Sequence, residues 1–267
     1  MFKDITLGQF YPADSVIHRL DPRVKLASTL IYIITLFIGK SFFMYIPAGV
    51  FLVSVIILSK VPPSFVIRGV KPIIPLIIIS AVFNLILTPG NALVSFWIIN
   101  ITSEGIYMAI FMIVRLLFLI TGASILTLTT TPTKLTDGIE KGLRFLTVFK
   151  VPVHEIAMMM SIALRFIPIL VEETDKIKKA QMARGADFES GNIIKRAKAM
   201  IPLLVPLFVS AFRRAGDLAM AMEARCYHGS EGRTRMKPLV YARRDFIAYG
   251  IILGYLALMI VLRVFGI

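Results

Sequence analysis

The sequence predicts an all-α integral membrane protein with about five transmembrane helices and a cytoplasmic helical domain inserted before the last. Composition is the first observation. Of the 267 residues 57% are hydrophobic and 17% charged, with mean hydropathy +0.80, far more apolar than a soluble domain. The second is a series of apolar runs of span length bounded by charge. The third is where the cations fall. A net charge of +14, from 30 Lys+Arg against 16 Asp+Glu, collects in a few segments as it does in cytoplasmic loops. A lipid bilayer is therefore the expected surround, and no nucleic acid is an expected partner.

The start MFKDITLGQFYPADS has no apolar core of the signal-peptide type, so the N-terminus is expected to stay in the cytoplasm. Leu20-Asp21-Pro22-Arg23-Val24-Lys25 reads as a helix start, with Asp21 as N-cap and Pro22 at the first helical position. Residues 26–58 are apolar except for Lys40, too long for one crossing, and predict a hairpin of two helices turning near Lys40 and Ser41. The cationic loop with Lys60, Arg68 and Lys71 precedes a third crossing over 72–87; a fourth follows over 106–128. The connection TPGNALVSFWIINITSEG contains no Lys or Arg and is expected outside. A last crossing over 246–262 follows Arg243-Arg244. These runs divide the chain into 1–129, 130–244 and 245–267.

The middle segment is the difficult one, because 151–171 is as long as a span and 201–212 is apolar though shorter. A seven-crossing reading is open on hydropathy alone. Charge opposes it: it would export Lys176, Lys178, Lys179, Arg184, Lys195, Arg196 and Lys198, against the bias of the other loops. His154, Glu155 and Arg165 are also costly at mid-membrane depth. The segment is thus read as cytoplasmic and partly tucked under the bilayer. Within it Ile156, Met160, Ala163, Ile167, Leu170, Thr174, Ile177 and Gln181 recur at helical steps and lead to Arg184. Leu204, Leu207, Ala211, Arg214, Leu218 and Ala221 lead likewise to Arg225.

Several chemistries lack their residues. The sequence holds no G-x-x-x-x-G-K-[ST], so the usual phosphate-cradling loop is missing and any ATP chemistry falls to a partner. No paired catalytic set is present, and the chain is read as a non-enzyme. Three His and one Cys leave no convincing metal set, and Cys226 cannot form an internal disulfide. Arg115, in the fourth crossing, is either a functional charge or a donor to a backbone carbonyl. The methionines Met158-Met159-Met160, Met220 and Met222 suit a surface that repacks.

Twice a long amphipathic run ends in Ala-Arg-small: Ala183-Arg184-Gly185 and Ala224-Arg225-Cys226. One such end is ordinary, since Arg complements a helix C-terminus. Two matching ends suit two similar sockets, each offered a five-donor fork. With GQFYPADSVIHRLDPRVKL, TPTKLTDGIEKGL, ALRFIPILVEETDKIKKAQMARG and MEARCYHG, these motifs make nearly the whole chain resemble the transmembrane T component of energy-coupling factor transporters, the vitamin and metal importers of prokaryotes.

The resemblance implies a scaffold and coupling subunit in the prokaryotic cell membrane. Its 130–244 segment would be a coupling domain whose two long helices end on two ATP-binding-cassette ATPase subunits, docking through Ala183, Arg184, Gly185, Ala224, Arg225 and Cys226. Cys226 departs from the family's usual Gly. ATP and Mg would be bound by those partners and no cofactor by this chain. A membrane-embedded substrate-binding S component, carrying solute selectivity, would rest on the upper coupling helices, including Met160, Leu170, Leu204, Leu207 and Ala211. The alternative is a self-sufficient carrier or channel with a polar pathway, favoured if Arg115 lined it.

Overall fold

The computed structural model describes residues 10–39, 41–96, 99–188, 190, 192–229, 236 and 238–265. They fall in two compact units: Met1–Leu7 with Gly142–Pro238, described from Gly142 onward, and Gly8–Lys141 with Leu239–Ile267.

The larger unit begins at α1 (Pro22–Ile38), where Asp21 accepts the Arg23 amide and Pro22 opens the helix, as its sequence predicts. A 3₁₀ turn over Phe42–Met44 leads into α2 (Tyr45–Ser59), giving the expected hairpin; Lys40 lies outside the described residues. The cationic loop is shorter than expected. Pro63 starts α3 (Pro63–Val70), which carries Arg68, and the chain continues through a 3₁₀ turn at Lys71–Ile73 into α4 (Ile74–Leu87). Pro72 and Pro75 have no amide hydrogens, which frees the Lys71 carbonyl for the Ile74 amide and accounts for the 3₁₀ interruption of an otherwise helical run.

The external connection departs from a plain loop. Strands β1 (Ala92–Phe96) and β2 (Ile99–Thr102) pair antiparallel with Phe96 opposite Ile99 and Val94 opposite Ile101. Its Val, Ile, Phe and Thr residues favour such a pleat. Thr102 then caps α5 (Ser103–Thr129) by accepting the Gly105 amide at 3.0 Å. After α6 (Pro132–Gly142) the second unit intervenes in sequence, and α10 (Arg243–Val264) completes the first.

The core of this unit gathers Tyr32 and Leu36 from α1, Tyr45 and Leu52 from α2, Ile125 from α5 and Ile252 from α10. Glycines set two close approaches. A Cβ at Gly122 would meet the Tyr32 ring at 2.6 Å, and one at Gly138 would meet Pro22 at 2.8 Å, so α5 and α6 pack on α1 only without those side chains.

The second unit is helical among its described residues: α7 (Val153–Ala183), α8 (Ile193–Ala199) and α9 (Ile201–Glu223). Gln181 Nε2 donates to the Pro202 carbonyl at 3.5 Å, and Arg214 Nη2 to Glu173 Oε2 at 3.3 Å. As α7 descends in number from 181 to 173, its partners on α9 rise from 202 to 214, so the helices are antiparallel where they touch.

Six helices among the described residues have the length and composition to cross a membrane: Phe42–Ser59, Pro63–Leu87, Ser103–Thr129, Val153–Ala183, Ile194–Glu223 and Arg243–Val264. The set differs from the five expected crossings. α1, at 17 residues, is shorter than any of them, and α7 and α8–α9 join because length and hydropathy do not separate a lipid-facing helix from one covered by protein.

Candidate functional site

The two Ala-Arg motifs fold into the same helix end. At the first, Gly185 takes a left-handed conformation (φ 88°), its amide donates to Met182 O at 3.0 Å, and the Ala186 amide donates to Gln181 O at 3.0 Å. At the second, Cys226 is left-handed (φ 54°), its amide donates to Glu223 O at 2.8 Å, and the Tyr227 amide donates to Met222 O at 3.1 Å. Both are Schellman caps, bond for bond, with the Arg immediately before the left-handed residue.

The motif thus has a local cause. The third position must tolerate positive φ, which Gly does freely and Cys only at a cost of about 1–2 kcal/mol. The cap satisfies the terminal carbonyls without the arginine, so neither guanidinium is needed to finish its helix. Ala183, Arg184, Gly185, Ala224, Arg225 and Cys226 are all exposed.

The antiparallel contact puts these ends far apart. Gln181 lies beside Pro202, whereas Arg225 closes the other end of α9, about 33 Å further along at ~1.5 Å per residue.

Of the residues expected to meet an S component, Met160 and Leu204 are exposed, whereas Leu170, Leu207 and Ala211 are half-buried. The least exposed stripe of α9 runs from the buried Leu203 through the half-buried Leu207, Ala211, Arg214 and Leu218, so its register starts one residue before the expected Leu204. The run Leu203-Leu204-Val205-Pro206-Leu207-Phe208-Val209 is apolar all round and does not specify a face. Further exposed apolar side chains are Phe145, Val148, Phe149, Met159, Phe208 and Phe212. Phe145 and Val148–Phe149 lie in a 3₁₀ segment, Arg144–Phe149, where helical periodicity had no signal to offer.

In the larger unit, Arg115 Nε donates to the Tyr45 hydroxyl at 2.8 Å and Nη2 to the Gly39 carbonyl at 3.0 Å. The carbonyl-donor reading describes this geometry: the charge sits at the C-terminal end of α1. Two residues escaped sequence reasoning. Lys25 is buried with Nζ donating to the carbonyls of His18 and Thr129, and Asp245 is 1% exposed and binds the amides of Asp21 and Ala242. Arg23 bonds Asp21 and lies over the Tyr241 ring at 3.8 Å.

Long apolar helices define a multi-pass α-helical membrane protein, and its two matched helix ends are exposed. The family described as "Cobalt transport protein", CbiQ, matches residues 13–236. The energy-coupling factor transporter transmembrane protein EcfT of Clostridium kluyveri is 58% identical over 250 residues, covering 93% of each chain. That of Ruminiclostridium cellulolyticum is 50% identical over 263 residues, 98% of each. That of Bacillus subtilis is 46% identical over 246 residues, 92% of this chain and 93% of its own. The chain belongs to this family of energy-coupling factor transporter transmembrane components, a multi-pass membrane subunit of a transporter.

Proposed function

We propose that this chain couples two ATP-binding-cassette ATPase subunits to a membrane-embedded S component for uptake of a vitamin or a metal ion. The name Cobalt transport protein, carried by the matching family, supports the metal side of that class. Arg184 and Arg225 each enter a groove on one ATPase, with Ala183, Gly185, Ala224 and Cys226 clearing space for the partner backbone. The observation that carries the reading is the pair of identical caps, with their arginines on ends of about 33 Å separation. One globular socket does not reach both; two sockets do. ATP and Mg are held by the partners, and this subunit is non-catalytic.

Unit Gly142–Pro238 lies on the cytoplasmic side, as does the N-terminus, because the cations of 176–198 oppose export. The exposed apolar set around Met159, Met160, Leu204, Phe208 and Phe212 receives the S component; Leu170, Leu207 and Ala211 support it from the α7–α9 contact. Closure of the ATPases on ATP moves the two helix ends, which acts on the S component only if ATP-bound and free ATPases place their sockets differently. The experiment is co-purification: Arg184→Ala with Arg225→Ala removes the ATPases while the protein still reaches the membrane. Retention of both ATPases by that double variant overturns the docking role.

A further inference from the structure

A cavity of about 710 Å³ lies among α1, α2, α5 and α10. Its floor is aromatic. Tyr32 of α1 stacks on Phe51 of α2 with ring centroids 5.8 Å apart, and Phe51 stacks on Tyr255 of α10 at 4.6 Å. Its rim is aliphatic and open: Ile46 and Val50 of α2 and Ile251 of α10 line it and stay largely exposed. α2 and α10 have the length and composition of membrane spans, so an apolar opening between them faces hydrocarbon.

Its dimensions select the occupant. The α2 residues that line it run from Ile46 to Leu58, a rise of about 18 Å at ~1.5 Å per residue. One leaflet is about 15 Å, half of a ~30 Å hydrocarbon core. Spread over that length, the open space accommodates a single hydrocarbon chain lying along α2, and the charge at one end favours a lipid over an apolar partner helix.

Polar groups gather at one end. Lys25 lines the cavity with Ser28 and Thr29 beyond it, and its ammonium, bonded to the His18 and Thr129 carbonyls, keeps a third N–H. Lys134 is close enough to act on the Lys25 charge and Lys60 on that of Asp14; both lysines are exposed. The carboxylates at that end are engaged: Asp14 with Arg19, Asp21 with Arg23, and Asp245 with two backbone amides. The surplus is cationic.

We propose that this cavity holds one acyl chain of an anionic phospholipid from the leaflet on the Lys25 side, with the lipid phosphate at Lys25 and Lys134. The chain fills space that protein side chains leave open along α1, and the headgroup charge sets which lipid stays.

The test uses the full chain in phosphatidylcholine vesicles carrying a minor share of acyl-brominated lipid, either phosphatidylglycerol or phosphatidylcholine. Trp97→Phe removes the native indole. Val50→Trp then reports from the rim, and Ile78→Trp from an exposed α4 position that does not line the cavity. Bromine quenching of the Val50→Trp variant should be several-fold stronger with phosphatidylglycerol, and that of the Ile78→Trp variant equal with both. Adding Ser54→Phe to fill the cavity, or Lys134→Glu at the exposed headgroup contact, should remove the preference. Equal quenching by both lipids at the rim means ordinary bilayer contact and overturns the proposal. Absence of quenching by either does the same, as does a preference that survives Ser54→Phe or Lys134→Glu.

Discussion

Asp245 Oδ1 accepts the backbone N–H of Asp21 at 2.9 Å, joining residues 224 positions apart in sequence. Its Oδ2 accepts the Ala242 amide at 2.8 Å, so one buried carboxylate serves the starts of both α1 and α10, where amides lack helical partners and the dipole favours negative charge. At the other end, Arg263 Nη1 donates to Ile38 O at 3.3 Å and Arg115 to Gly39 O at 3.0 Å. The two helices therefore run parallel and are tied at both ends.

Asp245→Ala leaves both amides without an acceptor, at roughly 1–3 kcal/mol for each buried donor. Asp245→Asn keeps one acceptor oxygen and should lose about half as much. Thermal unfolding of the detergent-solubilised chain, followed by helical circular dichroism, orders the variants: wild type above Asn, Asn above Ala. An Ala variant as stable as wild type would mean that the shared cap contributes nothing.

His18 makes stability depend on pH in one direction. Burial, and secondarily the Lys25 charge, lower its pKa from the ordinary 6.5. Its geometry suits the neutral ring that this shift favours: Nε2–H donates to Tyr11 O at 3.0 Å, and Nδ1 lies 2.7 Å from the Ser15 hydroxyl, which can donate to it. Above pH 6.5 both folded and unfolded chains hold the ring neutral and the stability is fully present. Below it the unfolded chain takes up a proton that the folded one refuses, so stability falls until the folded pKa is passed. Melting temperature against pH should slope down below about 6.5 for wild type and lose that part of its slope in His18→Gln.

Much of this fold is written in local signals. Asp21-Pro22 specifies the start of α1 because cap and first-turn chemistry are properties of adjacent residues. The apolar runs specify α2, α5 and α10 because backbone in lipid must satisfy itself as helix. Asp245 was illegible for the converse reason: its partner amide is remote, and an Asp after Arg243-Arg244 reads as one more charge at a membrane boundary. The caps were half legible. Ala-Arg-small is visible twice, but nothing in the letters says that Cys226 shares the left-handed backbone of Gly185. The β1–β2 hairpin was hidden by its shortness.

That shared backbone is testable by exchange. Cys226→Gly should stabilise the second unit by about 1 kcal/mol, since it removes the Cβ from a left-handed residue, and should leave ATPase binding intact. Gly185→Ala should cost about 1 kcal/mol for the same reason. Limited proteolysis of the purified chain, scored at the two helix ends, reads both. Cleavage that is indifferent to either change would mean that the caps do not hold those ends.

Topology separates the five-crossing and seven-crossing arrangements. Single cysteines at Lys178 and Ser190, in a Cys226→Ser background, should resist impermeant thiol reagents in intact cells and react after lysis, because the surrounding cations oppose export. Labelling of both from outside would place α7 and α9 across the bilayer.

The two arginines separate assembly from transmission. Truncating one partner of a desolvated charge pair costs roughly 3–5 kcal/mol, yet either single Ala variant still has one dock, and linked contacts bind with avidity. Arg184→Ala or Arg225→Ala alone should therefore keep much of the ATPase on the column while uptake drops sharply, because one helix end no longer follows its ATPase. The double Ala variant should lose both. Arg→Lys should restore charge without the planar fork and rescue only in part. Since each cap is closed by Gln181, Met182, Met222 and Glu223 carbonyls rather than by the guanidinium, loss of an arginine leaves the helix end folded, and the fall in uptake reports docking instead of local unfolding. Normal uptake by the double Ala variant would return both residues to the role of ordinary helix-end cations.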